Sequence, residues 1–310
     1  MPILLAPSGT ENREVVRALS LGDEVALADT TGTPFAILHV EDKFGYDKGA
    51  FAQGTYGTTD PKHPNVADIA SAGEIALGGK IDVLRRLPHP TGAFEMTPAE
   101  TREAFARRGW HDVAAYQCRN PPHTAHEYLQ RLSLEREDVE ALFIQPVVGR
   151  LKKGDYRPDI ILRAYQALVE HYHSHDRVML GALSITMRYA GPKAALFLAI
   201  VRKNYGCSRF IVGRDLAGVG SYYDPYAAHR IFDEFPIADL LPLRYEETFY
   251  CRTCGWMATK KTCGHPASDR IDTSQSRIRK ALAEGQPLPP ELLRPEVAAI
   301  LREPNVLLDQ

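Results

Sequence analysis

Short apolar runs broken by turn residues fill the first third of the chain. Residues Glu24–Ala28 and 35–40 are two such runs, separated by Asp29-Thr30-Thr31-Gly32-Thr33-Pro34, and this spacing predicts a β-hairpin with a longer loop. A turn at Tyr56-Gly57-Thr58-Thr59-Asp60 and a glycine-broken strand over residues 77–84 continue the pattern, so a β-rich domain is expected. Residues 97–108 then read as a helix. Thr97 can cap it, Pro98 suits its first position, Glu100 stands three residues after the cap, and Gly109 ends it.

From residue 111 the rhythm changes. Strand-like runs at 113–117, 141–148, 178–183 and 210–212 alternate with helical patterns at 122–134, Pro158–Tyr172 and Pro192–Asn204. Apolar strands alternating with helices of this length predict βαβ units and a parallel sheet, whose ligands sit at the carboxyl ends of the strands. Residues 277–284, with Ser276 as a cap, and Pro295–Leu301 read as a small helical tail. The pattern therefore divides the chain into 1–110, 111–240 and 241–310.

Composition narrows the class without choosing the chemistry. At 310 residues, 44% hydrophobic and 25% charged, the chain can bury a core and carries no disordered tract. Its 37 basic and 39 acidic side chains leave a net charge of −2, so no general attraction to nucleic acid is expected. No apolar stretch approaches the ~18 residues of a membrane span, and the opening Met1-Pro2-Ile3-Leu4-Leu5-Ala6 lacks the features of a signal peptide. Five cysteines, an odd number with three clustered near a histidine, suit a reducing compartment and a metal, and a cytoplasmic setting is expected.

Two polar loops follow predicted strands. The first is Gln117-Cys118-Arg119-Asn120-Pro121-Pro122-His123-Thr124-Ala125-His126, read as a strand end, a tight loop and a helix whose first turn carries both histidines. Residues three apart share a helix face, and a helix start attracts anions such as phosphate. Taken alone, the pair also suits an ordinary surface helix start. The second loop, Gly213-Arg214-Asp215-Leu216-Ala217-Gly218-Val219-Gly220, offers close backbone approach and a guanidinium for an oxyanion. Its glycines equally serve a plain turn. Farther on, Cys251, Cys254, Cys263 and His265 have the spacing of a closed tetrahedral zinc site, with free buried cysteines as the alternative. Cys118 lies in the first loop, but no third group completes a nucleophile set with His123.

Together these loops resemble the ATP sulfurylase (sulfate adenylyltransferase) family. Four segments carry the resemblance: Gln117 to His126, Met187-Arg188-Tyr189-Ala190-Gly191-Pro192, Gly213 to Gly218, and the cysteine cluster, with Leu293-Arg294-Pro295-Glu296-Val297 near the end. It implies a Rossmann-like nucleotidylyltransferase domain of α/β class. A shortened PUA-like β-rich domain would precede it, since no counterpart of the family's S-P-L-x-G-F-M segment is found, and a small zinc-containing helical region would follow.

The implied reaction is attack of sulfate on the α-phosphorus of MgATP. By resemblance Gln117, Cys118, Arg119 and Asn120 line the nucleotide and oxyanion site, with Arg119 holding sulfate beside the backbone N–H of Ala217. His123 and His126 would donate to the phosphates; Arg119, Asn120 and both histidines form the expected catalytic set. Gly213, Arg214, Asp215 and Leu216 would cradle the nucleotide, and Phe249 would lie near the adenine. Implied cofactors are Mg2+ with ATP and structural Zn2+, and the expected assembly is a homo-oligomer, a dimer. Leu216 stands where the family has histidine, Leu198 where it often has one, and Ser274-Gln275-Ser276 where it has S-G-T. These departures keep open a different oxyanion or an organic acid as acceptor, and a silent nucleotide-binding homologue.

Overall fold

Strands β1 (Glu24–Ala28) and β2 (Pro34–His39) pair antiparallel, from Glu24 opposite His39 to Ala28 opposite Pro34, forming the expected hairpin. The structure is a computed structural model that describes residues 1–151 and 153–308. Two units make up the chain. Residues 1–89, 188–194 and 217–224 form the first, and the other described residues form the second.

In the first unit β2 also pairs with β5 (Ile81–Val83), giving the order β1-β2-β5, while β3 (Asp42–Gly45) pairs with β4 (Ile75–Gly78). Val16, Leu38, Val40 and Leu77 form the buried centre. Three helices accompany these strands: α1 (Thr10–Ala18), α2 (Lys48–Tyr56) and α3 (Pro64–Ser71). The apolar pattern does not predict them. Helix α2 contains Gly49 and Gly54, poor helix formers, and its bounds come from its ends. Asp47 accepts from Ala50 N at 3.0 Å, and Gly57 closes it in the left-handed region at φ 71°.

The second unit opens with α4 (Pro98–Arg107), where Thr97 and Glu100 complete the expected capping box: Thr97 N donates to Glu100 Oε2 at 2.6 Å and Glu100 N to Thr97 Oγ1 at 3.3 Å. Then follow β6 (Val113–Tyr116), α5 (Thr124–Leu134), β7 (Ala141–Ile144), α6 (Pro158–Tyr172), β8 (Val178–Leu180), α7 (Pro192–Asn204), β9 (Arg209–Val212), α8 (Ala227–Glu234) and β10 (Leu241–Arg244). The strands form one sheet in the order β10-β9-β6-β7-β8, parallel throughout. Every residue of β6 and β7 is buried, which accounts for their unbroken apolar composition. From β6 the chain builds outward through β7 and β8, then returns to place β9 on the other side of β6. The sheet therefore has its switch point between β6 and β9, and both polar loops leave the carboxyl ends of those two strands.

Several expected bounds change: the run 77–84 divides between β4 and β5, which belong to different sheets, and 178–183 is strand only to Leu180. The run 141–148 is strand only to Ile144, after which Gln145 N donates to Tyr116 O at 2.9 Å and Val147 N to Cys118 O at 2.8 Å. The helix expected from 122 starts at Thr124. The tail helix starts at Gln275 with Ser274 as its N-cap residue.

A small antiparallel sheet, β12 (Trp256–Thr259), β11 (Thr248–Cys251) and β13 (Arg270–Ile271) in that order, precedes α9 (Gln275–Ala283) and α10 (Pro295–Leu301). Among the described residues no helix is long and apolar enough to cross a membrane.

Candidate active site

Because α5 begins at Thr124, His123 lies just outside it. It is the N-cap residue, with extended backbone (φ −131°, ψ 173°), and only His126 occupies the helix's first turn. The two histidines meet nonetheless: their rings stack with centroids 3.6 Å apart and planes 26° off parallel. His123 is pushed well below its ordinary pKa by burial and then by the charge of His126, so its ring is neutral at pH 7. The Nδ1 atoms of both rings are buried and hydrogen-bonded to nothing among the described residues.

Cys118 faces the same pair. Its Sγ lies 3.8 Å from His126 Nε2 and accepts from Asn120 N at 3.4 Å. Burial raises the thiol, but the charge of His126, the contact with it and the Asn120 N–H outweigh that effect and bring it down to about 6. Gln117 ends the strand side of the loop, buried, with its Oε1 lacking a partner among the described residues.

Arg119 is tied to a residue that the sequence pattern did not single out. Its Nη1 donates to Asp155 Oδ1 at 3.1 Å, and Asp155 is fully buried. Arg279 on α9 donates to the same oxygen at 3.2 Å and to Asn120 Oδ1 at 2.8 Å. Also on α5, Glu127 is 3% exposed and held by Arg131 at 2.8 Å and by Arg294 at 2.8 and 2.7 Å. Such charge-assisted pairs satisfy a carboxylate that burial alone would destabilise.

The loop after β9 is built differently. Gly213 O accepts from His229 Nε2 at 3.3 Å, and Asp215 N donates to Pro225 O at 2.7 Å. Arg214 is exposed, with Nε 3.5 Å from Glu247 Oε1. Asp215 has φ 55° and Ala217 φ 59°, the left-handed region that Asp tolerates and Ala rarely adopts; strain of the kind held at Ala217 concentrates where backbone geometry serves a ligand. Burial raises Asp215 against the opposing charges of Arg214 and Arg119. Leu216 is half-buried, and Leu198 on α7 is 2% exposed. Ala217 begins the segment that belongs to the first unit. There its carbonyl accepts from Gly191 N at 3.1 Å, and a Cβ on Gly191 would lie 2.5 Å from the Tyr223 ring, so only glycine fits.

Phe249, expected beside the adenine, is 7% exposed. It packs with Cys251, Ala258 and Cys263, and Arg270 lies over its ring at 4.6 Å, so little of the ring is offered to a ligand.

Cys251, Cys254, Cys263 and His265 converge as their spacing implies. All four ligand atoms lie within 4.8 Å of one another. His265 Nδ1 is 3.5, 3.3 and 3.5 Å from the sulfurs of Cys251, Cys254 and Cys263, and the Cys254 and Cys263 sulfurs are 3.7 Å apart. A tetrahedron with metal–sulfur bonds of ~2.3 Å and a metal–nitrogen bond of ~2.0 Å has edges of about 3.5–3.8 Å. The donor set therefore fits zinc, with no open position for substrate.

Sequence reasoning missed Asp155 and Arg279. Asp155 sits in a loop and is buried only by tertiary structure. Arg279 is one basic residue among several on α9, and no local pattern marks which of them turns inward.

Residues 92–304 match the family model for ATP-sulfurylase, and residues 1–86 match that for a PUA-like domain. The sulfate adenylyltransferase of Symbiobacterium thermophilum is 47% identical over 305 residues, covering 98% of this chain and 76% of that protein. The sulfate adenylyltransferase of Hyperthermus butylicus is 45% identical over 289 residues, covering 93% and 74%. Among solved structures, a hexameric APS kinase from Thiobacillus denitrificans superposes with a TM-score of 0.70 at 24% identity. That match covers 97% of this chain and 52% of the solved one, so the chain spans about half of it, and the likeness is one of fold. With a family match over most of its length and relatives this similar, the chain belongs to the ATP-sulfurylase family, with a PUA-like domain at its start.

Proposed function

We propose that the protein transfers the adenylyl group of MgATP to sulfate, forming adenosine 5′-phosphosulfate and pyrophosphate. A sulfate oxygen forms a bond to the α-phosphorus, the bridging oxygen to the β-phosphorus departs with its electron pair, and pyrophosphate leaves with the charge. Such a transfer asks for alignment and charge stabilisation and needs no protein nucleophile. The observation that carries this reading is the placement of two polar loops at the carboxyl ends of β6 and β9, either side of the switch point.

In this reading Arg119 binds the sulfate, and Gln117, Cys118 and Asn120 line the nucleotide and oxyanion site. His123 and His126 donate to the phosphate oxygens as charge builds. Gly213, Arg214, Asp215 and Leu216 cradle the nucleotide from the β9 side. Magnesium enters with ATP and neutralises phosphate charge. Zinc held by Cys251, Cys254, Cys263 and His265 fixes the β11–β12 turn and takes no part in the reaction. Free thiols at Cys118 and Cys207 suit a reducing, cytoplasmic setting. A homo-oligomer, a dimer, belongs to the same reading, and light scattering tests it.

Leucine at position 216 cannot make the hydrogen bond of an imidazole and so raises a second reading, another acceptor, which relatives named sulfate adenylyltransferase do not favour. One assay separates the two. Purified protein and MgATP are offered sulfate, selenate, molybdate, phosphate and small carboxylic acids, and pyrophosphate release is followed. Release with sulfate supports adenosine 5′-phosphosulfate synthesis. Release only with another acceptor supports the second reading, and nucleotide binding without any release overturns both.

A further inference from the structure

The loop after β6 is held from outside the sheet by one face of α9. Gln275 Nε2 donates to Pro121 O at 2.8 Å. Four residues on, and so on the same face, Arg279 reaches Asn120 Oδ1 at 2.8 Å and Asp155 Oδ1 at 3.2 Å from a single nitrogen, Nη2. Its guanidinium lies 5.1 Å over the Tyr156 ring. Asp155 is fixed in turn by the last described residues: Gly154 N donates to Leu308 O at 3.0 Å, and Leu308 N to Asp155 O at 2.9 Å.

This arrangement has a chemical consequence at Asn120. A guanidinium is a donor only, so the carboxamide atom it meets is the carbonyl oxygen. The group left for a ligand is the NH2, and no acceptor for it is found among the described residues. An amide free to rotate would present oxygen or nitrogen with similar ease. Asn120, held through its oxygen, presents N–H donors, which suit the oxygens of a phosphate or sulfate and oppose nothing of like charge.

We propose that Arg279, anchored on Asp155, is a positioning residue that fixes the Asn120 carboxamide with its NH2 toward the reacting oxyanions, so that α9 sets the geometry of the catalytic loop. This rests on the adenylyl-transfer reading above. The competing account is an ordinary stabilising contact between α9 and the loop, in which removing Arg279 lowers stability and affects the reaction independently of Asn120.

A double-mutant cycle on the full chain decides between them. Pyrophosphate release with sulfate is measured for the wild type, Asn120→Ala, Arg279→Met and the double variant, with a thermal melt of each. Expected are a drop of about 100-fold in kcat for either single variant, a KM for MgATP within about threefold of wild type, and a double variant no slower than Asn120→Ala alone. Independent, multiplying effects would overturn the positioning role. Should Arg279→Met fail to fold, Arg279→Lys runs the same cycle: it keeps charge and a donor but loses the planar fork, and it is expected to recover only part of the rate. If the wild type itself releases no pyrophosphate with sulfate, the adenylyl-transfer reading fails and the inference falls with it. If the wild type is active and the effects multiply, the inference alone fails.

Discussion

His126 is the side chain on which the proposed chemistry turns most directly. It touches Cys118 on one side and stacks on His123 on the other, and its position in the first turn of α5 is set by the helix itself. Replacing it with alanine removes a donor made for the transition state but leaves the α5 packing through Leu129 and Ala125 in place. The expected result for His126→Ala is a loss of at least ~100-fold in pyrophosphate release with a melting temperature near that of the wild type. Near-normal turnover would sink the role. A second histidine makes a prediction about pH. His173 is buried, its Nε2 donates to Gln130 Oε1 at 3.0 Å, and burial, with the charge of Arg131 beside it, lowers its pKa to about 4. Unfolded, it titrates near its ordinary 6.5, so the unfolded chain binds the extra proton in between. Its contribution to stability is therefore complete above pH 6.5 and is lost as pH falls toward 4, by about 3 kcal/mol at most. Thermal melts from pH 7 to pH 4 should show a shallower acid decline for His173→Asn than for the wild type; equal slopes would assign the decline to other groups. Neither property was open to sequence reading, because both depend on which rings end up stacked or enclosed.

At the scale of elements, the helices that carry their own signals were legible. Helices α6, α7 and α10 keep their predicted bounds, and α4 keeps its capping box, because periodic apolar positions and end residues agree with one another. Helices α2 and α3 were not, since glycines interrupt the one and eight residues give the other little period to read; tertiary packing supplies what propensity does not. The small sheet β12-β11-β13 was hidden for a related reason. Its strands are two to four residues long, and among the described residues Cys251 and Cys263 are buried in a small cluster with Phe249 and Ala258. So small a cluster holds the turn at Gly255 weakly, although Ile271 and Tyr250 of the same sheet pack against the main core, and the cysteine–histidine tetrahedron is its natural staple. Metal analysis of the purified protein should give one zinc per chain. Removing it with a strong chelator, or replacing Cys254 by serine, should expose the 251–265 segment to protease and lower stability by more than about 2 kcal/mol. Unchanged protease resistance after complete metal removal would show that the segment folds without it.

The parallel sheet was visible in the alternation of strands and helices alone, and with it the strand ends where a nucleotide would bind. What the alternation could not show is how the chain is shared between its two units. Segments 188–194 and 217–224 lie among the elements of the second unit in sequence, yet in space they complete the first. Tyr189 N donates to Asn65 Oδ1 at 2.8 Å, and His63 Nε2 donates to Tyr189 O at 2.9 Å. Tyr222 OH donates to Asp60 at 2.8 Å and Tyr223 OH to Tyr56 O at 2.9 Å. Asn65 and His63 are almost fully buried, so without these segments their polar atoms lose partners that water cannot fully replace in a packed interior. A fragment of residues 1–89 should therefore melt without a cooperative transition or at a much lower temperature than the full chain, although residues 1–86 match a PUA-like domain on their own. Circular dichroism of that fragment against the full chain makes the comparison. A sharp transition at the same temperature would mean that the two later segments add contacts, such as Gly191 N to Ala217 O at 3.1 Å, but no stability to the first unit.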